Sequence, residues 1–406
     1  MDKDCAVIIL GISRWDYMLG STSLSFAKEL ARTQRVFYID RPYSIKDYLN
    51  ERKLDSLQFR KDALLRGKNI YKTLEIDGSQ FTAVTPQITL PINSLPEGLI
   101  YRWLAGYNNR IVCKAIKATI RDFRLKKYIY INSFLPTICP KIPPSLPQPL
   151  LNIYQTVDDI SQEVYISKHG IKAEITAVQQ SDFTLTTSSE LCRKLEKYGK
   201  NVHLIRNAAD TGLFSRILTE KTEPPEEIKN SRGKVIIFTG ALNHLRMDYD
   251  LLIKIALHRP EDTLLVVGPY DQADYEKYQF ARYPNIRFTG KKPIALLPNY
   301  LKFSSCGIIP FLKNQLTKSI YPLKINEYLA TGLPVVTTDF SEDISSFRDV
   351  VYLAKSAEAF LAGVDKAISE NNETKIQERV EVSKLNTWQN RIQEFMQLVD
   401  RYTQKN

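Results

Sequence analysis

Residues 321–338, YPLKINEYLATGLPVVTT, read as a short helix that ends at Gly332 and passes through Pro334 into a β-branched strand. A helix handing over to an apolar strand across glycine and proline is one half of a strand–helix–strand unit. The alternation continues outward on both sides. Residues 235–239, 263–267, 286–288 and 306–309 precede it as short apolar strands with helical patterns between them, and 335–337 and 350–353 close the series. Such a series predicts a parallel sheet with crossover helices. Strand-like runs at 7–10, 36–39, 128–131, 150–154, 183–187 and 202–205 predict a second sheet in the first half. Its helices are expected at 23–33, 99–123, 171–180 and 189–198, the last with Ser188 as N-cap.

Residues 219–233, TEKTEPPEEIKNSRG, have the composition of a linker. The expected organisation is therefore a first Rossmann-like lobe over 1–218, a linker over 219–233, a second Rossmann-like lobe over 234–385 and a terminal helix over 386–406. In that helix Trp388, Ile392, Phe395, Met396 and Val399 share one stripe. It reads either as a packed terminal helix or as one that crosses back to the first lobe.

The 406 residues are 43% hydrophobic and 25% charged, which excludes extensive disorder. The early apolar run from Cys5 to Leu10 is too short for a bilayer and lacks the flanks of a cleavable signal. Cys5, Cys113, Cys139, Cys192 and Cys306 contain no C-x-x-C pair, so no disulfide framework is expected and the compartment reads as cytoplasmic. The four histidines, His169, His203, His244 and His258, lack metal-ligand spacing, and neither a metal nor another cofactor is expected.

A net charge of +11 admits nucleic acid, an anionic membrane or an acidic substrate as partner. No zinc-finger, RNP or helix-turn-helix signature supports nucleic acid. The basic residues gather from Arg52 to Lys72 and from Lys114 to Lys127, the second a basic amphipathic helix. A solvated helix face and peripheral contact with the inner membrane surface both fit this pattern.

Lys324 and Glu327 lie three apart and share a helical face. A carboxylate near a helix N-terminus can accept the paired hydroxyls of a ribose, while free backbone N–H groups there favour a diphosphate. Lysine adds a point charge. On residues alone a surface ion pair is an equal reading.

The string PLKINEYLATGLPVV, from Pro322 to Val336, closely resembles the donor-binding motif of glycosyltransferase family 4. The resemblance implies a GT-B glycosyltransferase fold, α/β with two Rossmann-like lobes facing each other across a cleft. It implies that Glu327 binds the donor ribose, with Lys324, Pro322, Leu323 and Ser319 around it. Other segments resemble the family in the same order: VHLIRNAADTGLF (202–214), FTGALNHLRMDYDLL (238–252) and NIRFTGKKPIALLPNYLKFSSCGIIPF (285–311). In the second, Gly240 is expected to admit a pyrophosphate, which Arg246 binds and His244 adjoins. Together the matches cover most of residues 150–400.

In the first lobe LLNIYQTVDD (150–159) is similar to a Y-D-x-x-D-D strand of the branch that makes cell-surface polysaccharides, including teichuronic acid biosynthesis glycosyltransferases. Tyr154, Asp158 and Asp159 match and Gln155 departs. Asp158 or Asp159 is expected to orient an acceptor hydroxyl or take its proton; a helix N-cap is the other reading of Asp159. Trp15 and Asp16 resemble a W-D pair in the same branch, making Asp16 a candidate site residue against a plain turn residue. Many family members carry a second glutamate eight positions before the ribose-binding one, where this chain has Ser319.

The resulting expectation is a retaining hexosyltransferase using a UDP- or GDP-sugar donor, with a saccharide or lipid-linked acceptor. Arg246 and Lys324 would stabilise the leaving diphosphate. Ser319 and Gln155 motivate the alternative, a nucleotide-sugar-binding partner in an assembly complex that has lost transfer.

Overall fold

The computed structural model describes residues 4–16, 21–76, 78–163 and 165–404. It divides into two compact units, residues 1–206 with 392–406, and residues 207–391.

The first unit is built on an eight-stranded sheet. Its strands are β1 (Cys5–Leu10), β2 (Val36–Ile39), β3 (Tyr71–Ile76), β4 (Ser79–Val84), β5 (Lys127–Ser133), β6 (Leu151–Thr156), β7 (Phe183–Thr186) and β8 (Val202–Leu204). They lie in the order β3-β4-β2-β1-β5-β6-β7-β8, parallel except for the β3–β4 hairpin. Central strands such as β1 and β6 are buried along their whole length, which explains their unbroken apolar runs. The β3–β4 pair lies outside the strand series expected from sequence. In β3 only Leu74 is buried, among Lys72, Thr73 and Glu75, so this edge strand has almost no apolar signal to read.

The second unit carries β9 (Val235–Thr239), β10 (Thr263–Val267), β11 (Ile286–Gly290), β12 (Cys306–Ile309), β13 (Val335–Thr338) and β14 (Tyr352–Ala354). Their order, β11-β10-β9-β12-β13-β14, is wholly parallel. It is the doubly wound arrangement, in which successive crossovers run outward from β9 on one side and from β12 on the other. The crevice beyond the ends of β9 and β12 is where such sheets bind ligands.

The boundary between the units falls before Asn207, earlier than the expected end of the first lobe at 218. Phe214, 1% exposed, belongs to the second unit's hydrophobic core and carries 207–218 with it. The expected linker is also partly ordered: the helix Glu226–Lys229 places Glu227 against Lys292 (2.7 Å) and Tyr300 (3.0 Å). Within the terminal helix Trp388–Thr403, residues from Ile392 onward join the first unit. There Phe395, fully buried, meets Phe26 edge-on at 5.0 Å, and Tyr402 bonds His203 Nε2 at 2.9 Å. The cysteines, distant in sequence, include one spatial pair, Cys113 and Cys139, whose free thiols lie 2.9 Å apart.

Candidate functional site

The second unit's site grows from the end of β9. Gly240 follows it with φ +129°, a conformation that side chains rarely adopt. The space a Cβ would fill is taken by Lys324: it would touch Lys324 Cε and lie 2.8 Å from Nζ. Lys324 reaches this point from the first turn of the helix Leu323–Ala330, which Pro322 opens and Gly332, at φ +73°, closes. Phe238 and Phe311 flank the ammonium, with ring centroids at 5.6 Å and 5.9 Å. Tyr328, fully buried on the same helix, accepts the Thr239 N–H at 2.8 Å and ties the helix to the end of β9.

The loop after β9 is sewn to the loop after β12. Asp248 N–H donates to Pro310 O at 2.9 Å, Leu312 N–H to Arg246 O at 2.8 Å, and Asn314 Nδ2 to Leu245 O at 2.8 Å. Arg246 is thereby held close enough for its charge to depress Lys324.

Burial disfavours the charge on both members of the Lys324–Glu327 pair. Desolvation pulls the Lys324 pKa below the usual lysine range, with Glu327 opposing and Arg246 assisting. Desolvation raises Glu327 above the usual carboxylate range, with Lys324 opposing. Among the described residues no hydrogen bond, and no ion pair within 4.0 Å, holds either side chain, so the surface ion pair open on sequence is absent. An anion over Gly240 would favour the charged form of Lys324, and hydroxyl donors would favour the ionised form of Glu327.

Gly240, Arg246 and Lys324 are thus brought together, with Glu327 one turn along the helix from Lys324. His244 is not part of this group: it is 58% exposed and its Nδ1 lies 3.2 Å from Asp274. Ser319 is fully buried, its hydroxyl directed to Gln315 O at 3.5 Å. Sequence reasoning missed Tyr328 and the two phenylalanines; Tyr328 sits inside the quoted string but reads there as plain core.

In the first unit Asp16 is clamped by Arg60, with two contacts of 2.8 Å. Arg60, 3% exposed, also reaches Asp40 at 3.4 Å. Desolvation pushes Asp40 up to about 6 against the pull of Arg60. Arg60, in the middle of the basic stretch from Arg52 to Lys72, is therefore turned inward while Lys61 and Arg66 stay exposed, an arrangement that charge counting could not reveal.

Asp159, 1% exposed, N-caps the turn Ile160–Gln162 and bonds Ser161 N–H at 3.0 Å and the Lys194 ammonium. Desolvation raises its pKa, but Lys194 and Ser161 outweigh this and leave it low. The N-cap reading is the geometry observed. Asp158 keeps partial exposure, and its carbonyl accepts from Thr156 at 3.3 Å. Gln155 is buried and accepts from Ser133 at 2.8 Å.

Beneath them Glu174, 4% exposed, accepts from Thr156 (2.8 Å) and Tyr154 (3.1 Å), and desolvation pushes its pKa from 4.5 up to about 7. Between these two values the folded protein holds a proton that the unfolded chain has released. Stability therefore falls as pH rises through this window and does not return above it. Glu174→Gln keeps both acceptor contacts and is expected to flatten that slope, leaving the first unit more stable at pH 8 by about 3 kcal/mol. Thermal unfolding of both proteins across the window checks this; parallel pH profiles would remove the assignment.

Among the described residues no group of three or more His, Cys, Asp or Glu could hold a metal ion, and no helix is long and apolar enough to cross a membrane.

Residues 233–370 match the family described as Glycosyl transferases group 1. The protein of Bacillus subtilis (strain 168) named "Putative teichuronic acid biosynthesis glycosyltransferase TuaH" is 29% identical over 227 residues, 53% of this chain and 56% of that protein. The chain thus matches about half the length of this curated relative. Among solved structures, the α,α-trehalose-phosphate synthase (UDP-forming) of Burkholderia vietnamiensis superposes with a TM-score of 0.68 at 9% identity, covering 99% of each chain. Sucrose-phosphate synthase from Thermosynechococcus elongatus gives 0.64 at 12% identity, covering 99% of this chain and 100% of that one. At these identities the likeness is one of fold, and the fold is the GT-B class expected from sequence.

Proposed function

We propose that the protein is a retaining glycosyltransferase, a reading supported by the match of residues 233–370 to the group 1 glycosyltransferases and by the GT-B fold. It moves a hexose-type sugar from a UDP- or GDP-sugar to a cell-surface polysaccharide or lipid-linked acceptor at the cytoplasmic face of the membrane. The observation that carries this reading is the Lys324 ammonium, seated over Gly240 beyond the end of β9 and, among the described residues, paired with no carboxylate. Lys324 and Arg246 hold the diphosphate and stabilise its charge as the sugar leaves. Glu327 holds the ribose, so catalysis is mainly positioning and charge stabilisation, without a metal. The B. subtilis relative's name supports the polysaccharide context.

A thermal-shift screen against UDP- and GDP-hexoses, followed by donor hydrolysis with the hits, tests the proposal. A ligand at 100 times its Kd adds about 2.7 kcal/mol of stability. No shift and no turnover with any donor would refute it. Glu327→Gln should weaken donor binding about 10- to 100-fold, since it removes charge-assisted hydrogen bonds worth about 1.5–3 kcal/mol. Unchanged affinity by calorimetry would take the ribose role from Glu327.

Ser319 and Gln155, both buried and bonded to their own surroundings, favour a second reading. There the protein binds the nucleotide sugar but has lost transfer. Donor binding without turnover in the same assay selects it.

A further inference from the structure

The helix Leu99–Asp122 buries one face through Val112, Ile116 and Ile120. On its other face Trp103, Tyr107, Arg110, Lys114, Lys117 and Arg121 succeed one another by three or four residues, and all are exposed. With Leu99 and Ile100 ahead of them they form a single stripe that changes character along its length. The first turns are apolar, with Leu99 82%, Ile100 73% and Trp103 70% exposed, and the rest are cationic. Isolated exposed apolar residues are ordinary, but a contiguous group containing tryptophan marks an interaction site.

The tip is held in place. Tyr101 stacks on His169 at 3.7 Å, and Asn108 clasps Leu90 with bonds of 2.8 Å and 3.0 Å. The neighbouring acids are matched: Asp122 bonds Arg121 at 2.7 Å and Tyr71 at 2.8 Å, and Glu97 faces Lys172 at 4.0 Å.

We propose that this stripe docks the protein on an anionic lipid bilayer. Leu99, Ile100 and Trp103 enter the boundary between headgroups and acyl chains, and the cations from Arg110 to Arg121 lie along the headgroups. A membrane, rather than a protein partner, fits because the charge complementarity is diffuse and of one sign over a helix about 36 Å long. A Trp- and Leu-bearing apolar part joined to a Lys- and Arg-rich part is the make-up of an interfacial helix. The burial pattern thus adds an apolar anchor to Lys114, Lys117 and Arg121, on the same face of the same helix, which ends at Asp122, short of the expected basic helix's end at Lys127.

The test is co-sedimentation of the full chain with vesicles of phosphatidylcholine alone and of phosphatidylcholine with phosphatidylglycerol. Partitioning is expected only onto the phosphatidylglycerol vesicles, declining with salt. Lys114→Gln and Lys117→Gln should each lower the partition coefficient about fivefold, from roughly 1 kcal/mol per charge near the surface. Trp103→Ser should lower it as well. The blue shift of tryptophan emission on binding should vanish in Trp103→Phe, although Trp15 and Trp388 remain. Because these side chains point to solvent, the variants should keep the parent's unfolding temperature and nucleotide-sugar affinity, which separates this proposal from the assignment of function. Equal partitioning onto both vesicle types, an unaltered coefficient in Trp103→Ser, or self-association through this face with no vesicle binding would each overturn it.

Discussion

Lys324→Ala is expected to lower kcat/KM with a UDP- or GDP-sugar by about 100- to 1000-fold, the loss seen when one preorganised charge-stabilising group is removed. Unfolding temperature should stay level or rise. The two effects separate because Lys324 carries a charge that folding has desolvated but not paired: its pKa is lowered, and among the described residues no carboxylate bonds to it. Removing such a group relieves the folded state, whereas removing a structural ion-pair member would destabilise it. Lys324→Arg should not rescue activity. The ammonium occupies the space left by the missing Gly240 side chain, and the broader guanidinium does not fit there. Steady-state kinetics beside thermal unfolding decide the matter; a large loss of stability with little change in kcat/KM would make Lys324 a structural residue.

The difference between what sequence reveals and what it hides follows from burial. The strands β9, β10 and β12 are legible to the residue because parallel strands covered on both faces are continuous apolar runs. The hairpin of β3 and β4 is hidden because its outer strand is wetted and carries Lys72 and Glu75. The boundary of the units is misplaced because Phe214 looks the same whichever core receives it. Within the site, Lys324 and Glu327 are readable as neighbours on a helix. That Lys324 lies over Gly240 is a long-range fact of the β9–β12 adjacency, which no local pattern contains. Arg60 is the clearest instance in the first unit. Among Arg52, Lys53, Lys61 and Arg66 it reads as one more surface cation, yet it is buried against Asp16 and Asp40. The candidate role of Asp16 must therefore be tested with Arg60 in place, since removing Asp16 leaves Arg60 with Asp40 at 3.4 Å.

Gly268→Ala is expected to destabilise the second unit by about 3 kcal/mol, at the upper end of the cost of overpacking, and to abolish donor-induced stabilisation. The Cβ at this position would overlap the carbonyl oxygen of Gly240 and come within 2.5 Å of its carbonyl carbon. Backbone cannot swing aside as a side-chain tip can. The Gly240 segment is fixed from both ends, through Gly240 N–H to Val267 O at 2.8 Å and Leu242 N–H to Pro269 O at 2.9 Å. Relief of the overlap must therefore come from parting the ends of β9 and β10, which displaces the turn proposed to hold the diphosphate. Gly240→Ala meets only the movable end of Lys324, and its cost is chiefly the strain of φ +129°, about 1–3 kcal/mol. Both variants should lose donor binding, but Gly268→Ala should lose more stability. Gly212→Ala, where the added methyl finds Asp210 Oδ1 at an ordinary 3.6 Å, serves as the neutral control. Thermal unfolding of the three variants with and without UDP-sugar orders them. A Gly268→Ala protein as stable as the control and equally responsive to donor would show that the close approach of the two turns is not what shapes the site.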